Sequence, residues 1–474
     1  MSRKFWARST ALMCAFVLTA AACGGDDDDT SATDAPAATD APAATDAPAA
    51  TDAPAGTDAP AGTDAPDTTA AEGGSDLEAL GLWDDGPCDE SLDPLHVGLQ
   101  TVFASGVLTL EDQAQSLEAS AVAFNARGGA NGHCIQVTTC DDGADPNRAV
   151  DCVRTLDEAG IGATINDTTS VAGADVSAGY AAAGIPRFAI SPGQDDYGDT
   201  NAYPFDAGGT GTTIMMPQAL LNEGITKIAS IHVDIPAATA LAGILGAIFG
   251  DNGFELVADL PVPAGTTDYS QFILAAEAAG AEGVIMPIGG QEGIQVLRAA
   301  EQLGSDLMFS SSLGTFPYAD IAALGEINDQ IILNAAIPPA TFDDPVVQLI
   351  AADLAASDIE ALQTENLKSS PMRSWIGLYA LLHILREAGA EDFSRENLKS
   401  LIEASGPVPM LGLTDDWTPK TDHEGVFVRT GNNFYSFWTF DPSAEFNGTA
   451  GNFVRASEAN WDEVICGSPL GGAC

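Results

Sequence analysis

From Leu95 onward the apolar positions switch between a period of two and a period near four. Leu95–Thr101 is a short, nearly continuous apolar run and predicts a buried strand. Behind it Ala114, Leu117, Ala121 and Phe124 share one helical face, with Thr109 placed to cap that helix and Gly128-Gly129 to end it. Ile135, Val137 and Thr139 alternate as a second strand. Asp145-Pro146 then opens a helix with a cap and a first-turn proline in the favoured order. Further strands are predicted at Ile228–His232, Gly283–Pro287, Met308–Ser310 and Ile331–Ala335, with helices near Thr239–Phe249, Tyr269–Ala279 and Gln291–Leu303. Beyond Pro345 come helices at Ser374–Ala388 and Arg395–Ala404, then strands at Val426–Arg429 and Phe434–Phe440. Strands alternating with helices make parallel sheets covered on both faces, an α/β fold. About 390 residues of this pattern suit two lobes better than one.

Ala163–Asp195 carries the most suggestive chemistry. It predicts a strand (Ala163–Ile165), a polar turn (Asn166–Ser170), a helix from about Val171 to Ala183 and a strand (Arg187–Ile190). Both strands run into polar loops, Asp167-Thr168-Thr169-Ser170 and Ser191-Pro192-Gly193-Gln194-Asp195. In a parallel sheet such loops lie at the carboxyl ends of neighbouring strands, where ligands bind. Ser170 is placed to cap the helix, whose first-turn N–H groups suit an oxygen-rich or anionic group.

The chain ahead of this pattern reads differently. Arg3, Lys4 and Arg8, an apolar run from Ala11 to Leu18 and small residues to Ala22 form a secretory signal over residues 1–22. From Thr33 a TDAP unit recurs every six residues, six times, ending at Pro66. Alanine, proline and regular negative charge cannot build a core, so residues 23–86 read as an extended tether. A segment of that size spans about 45 Å as a coil and roughly 190 Å as polyproline. Charge is lopsided, with 68 Asp and Glu against 17 Lys and Arg and a net of −51. Nucleic acid and anionic membrane surfaces are therefore poor partners. Solubility, a saline habitat or a cationic ligand would each account for the excess.

Catalytic patterns are missing. Gly-x-Ser-x-Gly does not occur, Gly208–Thr213 lacks the lysine of a phosphate loop, and no Gly-x-Gly-x-x-Gly follows the first strand. His232 at a strand end is a candidate base, although a histidine so placed is more commonly just hydrogen-bonded. The eight cysteines become six once Cys14 is removed with the signal and Cys23 is set aside. Cys140 ends a strand and Cys152 lies two turns into the next helix, which pairs them. Cys88 and Cys134 each precede one of the first two strands and form the second pair, leaving Cys466 and Cys474 to clasp the tail. No Cys-x-x-Cys occurs and the five histidines are scattered, so neither a metal nor another cofactor is expected.

Two family resemblances follow. Small residues before Cys23, then Gly24-Gly25 and a polar tract, resemble a bacterial lipoprotein signal, which implies lipid on Cys23 and attachment to the outer face of the cell membrane through that lipid alone. From Leu95 to about Pro339 the chain resembles the substrate-binding proteins of branched-chain amino acid-type ABC transporters, with the type I periplasmic binding fold. The carriers are Leu95-His96-Val97-Gly98-Leu99, Phe124–Gly132, Asp141-Asp142 with Asp145–Ala149, and Tyr180–Pro186 with Ile190-Ser191-Pro192. The resemblance implies two α/β lobes with ligand in the cleft between them, lobe 1 being 87–205 plus 338–405 and lobe 2 206–337 plus 406–450, with 451–474 an extra tail. It places Phe103, Thr168, Thr169, Ser170, Gly193, Gln194, Asp195, Gly289, Gln291 and Leu313 in the ligand loops. Ser170 matches a serine that holds an amino acid's carboxylate. Asp195 stands where a small hydroxyl residue shares that work, Leu313 where an acid pairs with the ammonium, and Ala237 near an aromatic wall. An ordinary α-amino acid therefore fits less well than a neutral amide, a cationic compound or a differently oriented amino acid. The resemblance implies a monomeric, non-enzymatic protein that delivers a small solute to ABC permease subunits. A ligand sensor of the same fold and a secreted hydrolase are the alternatives.

Overall fold

In the computed structural model, residues 74–105, 109–193, 195–234, 236–250, 253–263, 265–420, 429–432 and 434–465 are described. The expected signal, Cys23, the TDAP repeat, Gln194, Cys466 and Cys474 lie outside them. The strands are β1 Leu95–Thr101, β2 Ile135–Asp141, β3 Ala163–Ile165, β4 Arg187–Ile190, β5 Ala202–Pro204, β6 Lys227–Val233, β7 Glu255–Val262, β8 Gly283–Ile285, β9 Met308–Ser312, β10 Ile331–Ala335, β11 Phe434–Phe446 and β12 Thr449–Asn460.

They form two sheets. The first, in the order β2-β1-β3-β4-β5, is parallel throughout. Both its faces are covered. Helices Glu111–Ala126, Pro345–Ala355 and Ser369–Glu387 pack into one core with Val97, Leu99, Ile165 and Phe188. Helices Pro146–Glu158 and Gly173–Ala183 form a smaller core on the other side with Ile161 and Ile185. The second sheet runs β12-β11-β10-β9-β8-β6-β7, parallel from β10 to β7, and has a separate apolar core on each face. The α/β expectation holds with one departure: β11 joins β10 antiparallel, and β12 joins β11 antiparallel.

Three segments differ from the sequence reading. Residues 74–86, assigned to the tether, begin with a helix, Gly74–Ala79, and then bring Leu82 into the lobe 1 core. Trp83 stacks on Phe124 and Tyr379 at 5.8 and 6.0 Å between ring centres, and Arg386 stands over its indole. Residues 406–417, assigned to lobe 2, also belong to lobe 1, because Val408, Met410, Leu413 and Trp417 are buried in its core. Residues 451–460, assigned to the tail, are most of β12, and Trp461 is buried beside it. Asn447 and Gly448, both at positive φ, make the two-residue turn that folds β12 back along β11.

Two expected caps are also absent. The helix behind β1 starts at Glu111 after Leu110, and the helix behind β3 starts at Gly173 after Ala172 in the left-handed region. Neither Thr109 nor Ser170 caps its helix: the helix behind β1 starts one residue too late for Thr109, and the polar turn after β3 is two residues longer than read. The Asp145 cap is present, its carboxylate accepting from the N–H groups of Asn147 and Arg148. Disulfides join Cys140 to Cys152 and Cys88 to Cys134.

Candidate functional site

The loops leaving β1, β3 and β4 converge at one edge of the first sheet. Thr168 N–H donates to Gln100 O at 3.1 Å and Ser191 N–H to Asp167 O at 3.4 Å. Beneath them lies Arg187, on β4 and fully buried. Its Nε and Nη2 donate to Asp167 Oδ2 at 2.9 and 2.6 Å, its Nη1 to Ser177 Oγ at 2.8 Å and to Asp196 Oδ1, and its Nη2 to Thr169 Oγ1 at 3.3 Å. Asp196 Oδ2 also accepts the Gly193 N–H at 2.8 Å. One guanidinium thus ties the 166–170 loop, the helix Gly173–Ala183 and the 191–199 loop together. Burial alone would lower the Arg187 pKa; the carboxylates of Asp167 and Asp196 outweigh it and raise it. Burial pushes the Asp167 carboxyl up, against the pull of Arg187. Removing one member of such a buried cluster costs about 3–5 kcal/mol, because the others are left uncompensated.

Above this cluster the expected residues take distinct places. Thr168 is half-buried and its hydroxyl donates to Gln113 Oε1 at 3.2 Å; Thr169 is buried on Arg187; Ser170 is exposed. Gly193 sits against the Thr169 carbonyl, where an added Cβ would lie 3.4 Å from that oxygen. Asp195 is exposed, and its carboxylate lies against the first residue of the helix Gly173–Ala183, since a Cβ at Gly173 would fall 2.7 Å from Asp195 Oδ2. The positive end of that helix therefore already faces one of the protein's own carboxylates. Phe103 is half-buried against the lobe 1 core, with its N–H donating to Asp141 Oδ1 at 3.0 Å.

Lobe 2 presents the loops after β8 and β9. Gly290, next to Gly289, approaches the Thr315 carbonyl so closely that a Cβ would lie 2.3 Å from it. Gln291 is exposed and donates to Asp320 Oδ2 at 3.3 Å. Leu313 is buried in the lobe 2 core, so it supplies packing and its side chain is not offered to a ligand. His232 is fully buried, with Nδ1 2.8 Å from Val233 O and Nε2 2.9 Å from Asp259 Oδ1. Both nitrogens are committed inside lobe 2.

The lobes meet where sequence reasoning did not look. The helix Ser369–Glu387 starts five residues earlier than its periodicity suggests, since Pro371 is tolerated in a first turn. Its Ser370 hydroxyl donates to Gly314 O of lobe 2 at 2.8 Å. One turn on, Arg373 pairs with Asp206, which lies in the crossover between lobes and accepts the Gly208 N–H at 2.8 Å. Ser374 Oγ accepts from Asn166 Nδ2 at 2.8 Å and donates to Gln113 O at 2.9 Å, joining this helix to the β3 loop. The run Ser369-Ser370-Pro371, a helix start without apolar period, was the available signal.

A family profile described as "Periplasmic binding protein" matches residues 96–445. The chain belongs to the periplasmic binding protein family. A relative named Leu/Ile/Val-binding protein homolog 7, from Brucella suis biovar 1 (strain 1330), is 28% identical over 218 residues, covering 42% of this chain and 54% of the relative. The chain thus aligns with about half the length of that relative. Among solved structures, the leucine-, isoleucine-, valine-, threonine- and alanine-binding protein of Brucella ovis, in a closed conformation, superposes with a TM-score of 0.64 at 16% identity over 81% of this chain and 98% of that one. A fatty acid ABC transporter substrate-binding protein from Thermomonospora curvata gives 0.66 at 16% identity over 82% and 98%. A solute-binding protein of an R. palustris ABC transporter, in complex with 4-hydroxybenzoate, gives 0.63 at 12% over 78% and 97%. At these identities the family's fold is shared, the type I arrangement of two α/β lobes, while the solutes named for the three differ.

Proposed function

We propose that this chain is an extracytoplasmic solute-binding protein, held to the outer face of the cell membrane by lipid on Cys23, that delivers a small polar nitrogen compound to an ABC permease. The observation that carries the reading is the family match over 96–445; it is supported by the helix Ser369–Glu387, which is hydrogen-bonded to Gly314 through Ser370 and to Asn166 through Ser374. No helix of the described residues is long and apolar enough to cross a membrane.

The solute class follows from charge. Asp195 is the exposed carboxylate at the loops of lobe 1 and has no ion-pair partner among the described residues. The nearby cations are already neutralised: Arg187 by Asp167 and Asp196, Arg373 by Asp206, and Lys368 by Asp112. A ligand carboxylate would meet Asp195 at the helix end it needs, whereas a cation or neutral amide would not. A thermal-shift screen of amino acids, amides, ureas and polyamines is the test, because a ligand of the native state raises Tm. The expected hits are cationic or neutral nitrogen compounds, with affinity for a cationic hit falling about tenfold or more in Asp195→Asn, the loss of one charge-assisted contact. Hits confined to carboxylates, or affinity unchanged by Asp195→Asn, would remove Asp195 from the site.

A further inference from the structure

A cavity of about 500 Å³ lies between the tip of the β11–β12 hairpin and the helix Pro345–Ala355, away from the strand-end loops. Rigid parts build it. The Asn447-Gly448 turn fixes the tip, Asp344 caps the helix by accepting from Val346 and Val347 N–H, and Asn452 Nδ2 donates to Thr341 O at 2.9 Å, pinning the crossover after β10 to the hairpin. The helix floors the cavity with Ala351 and Ala352, too small to fill it.

The lining asks for a donor. Thr341 lines the cavity at 3% exposure, and its hydroxyl has no partner among the described residues. Asp343 has one oxygen occupied by Gln348 Nε2 at 2.9 Å, and Glu445 is exposed without an ion pair among the described residues. Among the described residues no Lys, Arg or His lines the space. Arg455, over the Phe342 ring, is paired with Glu458 and is not part of the lining. Phe342 and Phe446 offer apolar sides to an alkyl stem. Two carboxylates, an unanswered buried hydroxyl and no cation match an ammonium group, whose N–H bonds need several acceptors.

We propose that this cavity is a second small-molecule site, separate from the interlobe cleft, and that it takes a compact protonated amine. The site draws on both lobes, with the helix from lobe 1 and the hairpin from lobe 2, so an occupant bridges them.

Putrescine titrated in high salt into the full ¹⁵N-labelled chain, followed by amide shifts, tests this. Saturable shifts are expected at Thr341, Thr364 and Gly448. Glu445→Gln with Asp343→Asn should weaken them about tenfold or more, the cost of lost charge-assisted bonds. Ala352→Phe, on an exposed position, should abolish them by filling the space, and Asp195→Asn should leave them unchanged, which separates this site from the cleft. Shifts that never saturate and spread over the acidic surface would overturn the proposal. So would shifts unaffected by Glu445→Gln with Asp343→Asn, or shifts that vanish in Asp195→Asn.

Discussion

Asp142 is fully buried beside the first sheet, accepting the Ala144 N–H at 2.9 Å and the Gln100 amide at 3.5 Å, with no ion pair among the described residues. Burial raises its pKa above the ordinary value of 3.8. The native chain then holds that proton more tightly than the unfolded chain, so the stability Asp142 contributes is greatest at low pH and declines as pH rises from the unfolded value through the folded one. Asp142→Asn should remove this decline: relative to the parent, the variant gains stability between about pH 4 and pH 7, whatever its constant offset. Urea unfolding of both proteins at the two pH values checks the sign, and a parallel pair of curves would contradict it. Residues of this kind were the least legible in the sequence. Asp167 reads as one more polar loop residue, yet it is buried on Arg187, twenty positions away. The partner that decides between ligand contact and internal tie is supplied by the fold, and no local pattern carries it.

Elements were far more legible where apolar period and strand length agree. β1, β3, β4 and β10 fall at their predicted bounds because each is a continuous run between turn residues. β5 and β7 were missed, and both contain a proline, Pro204 and Pro261, which argues against a strand unless the strand lies at an edge; both do. β12 was missed although Asn447-Gly448 is a strong hairpin signal, because the chain beyond it is rich in polar and small residues. The disulfide Cys140–Cys152 links the end of β2 to the following helix across a short loop. Replacing both cysteines by serine should lower unfolding free energy by about 3 kcal/mol through the freed loop of the unfolded chain. Denaturant midpoints of the two proteins without reductant measure this; the reduced parent, which loses Cys88–Cys134 as well, should fall below the variant's unreduced midpoint.

At the level of the whole molecule, two lobes were predicted and two are present, but their borders were drawn where the pattern changes and not where cores close. The sequence places 74–86 next to low-complexity repeat, and Leu82 and Trp83 look like isolated apolar residues until helices Glu111–Ala126 and Ser369–Glu387 are packed side by side to receive them. Deleting residues 1–86 should therefore lower Tm by several degrees relative to deleting residues 1–73, since burying one large aromatic side chain is worth about 3–5 kcal/mol. Equal melting temperatures for the two truncations would show the arm to be dispensable. The arm also decides where a mechanical load enters. A pull on the N-terminal stretch reaches lobe 1 through the Trp83 stack, the Arg386–Asp85 pair and the Cys88–Cys134 crosslink, all within one lobe. It does not cross the Arg373–Asp206 strut between lobes. Lobe 1 thus takes the tension, and the load path ends before lobe 2.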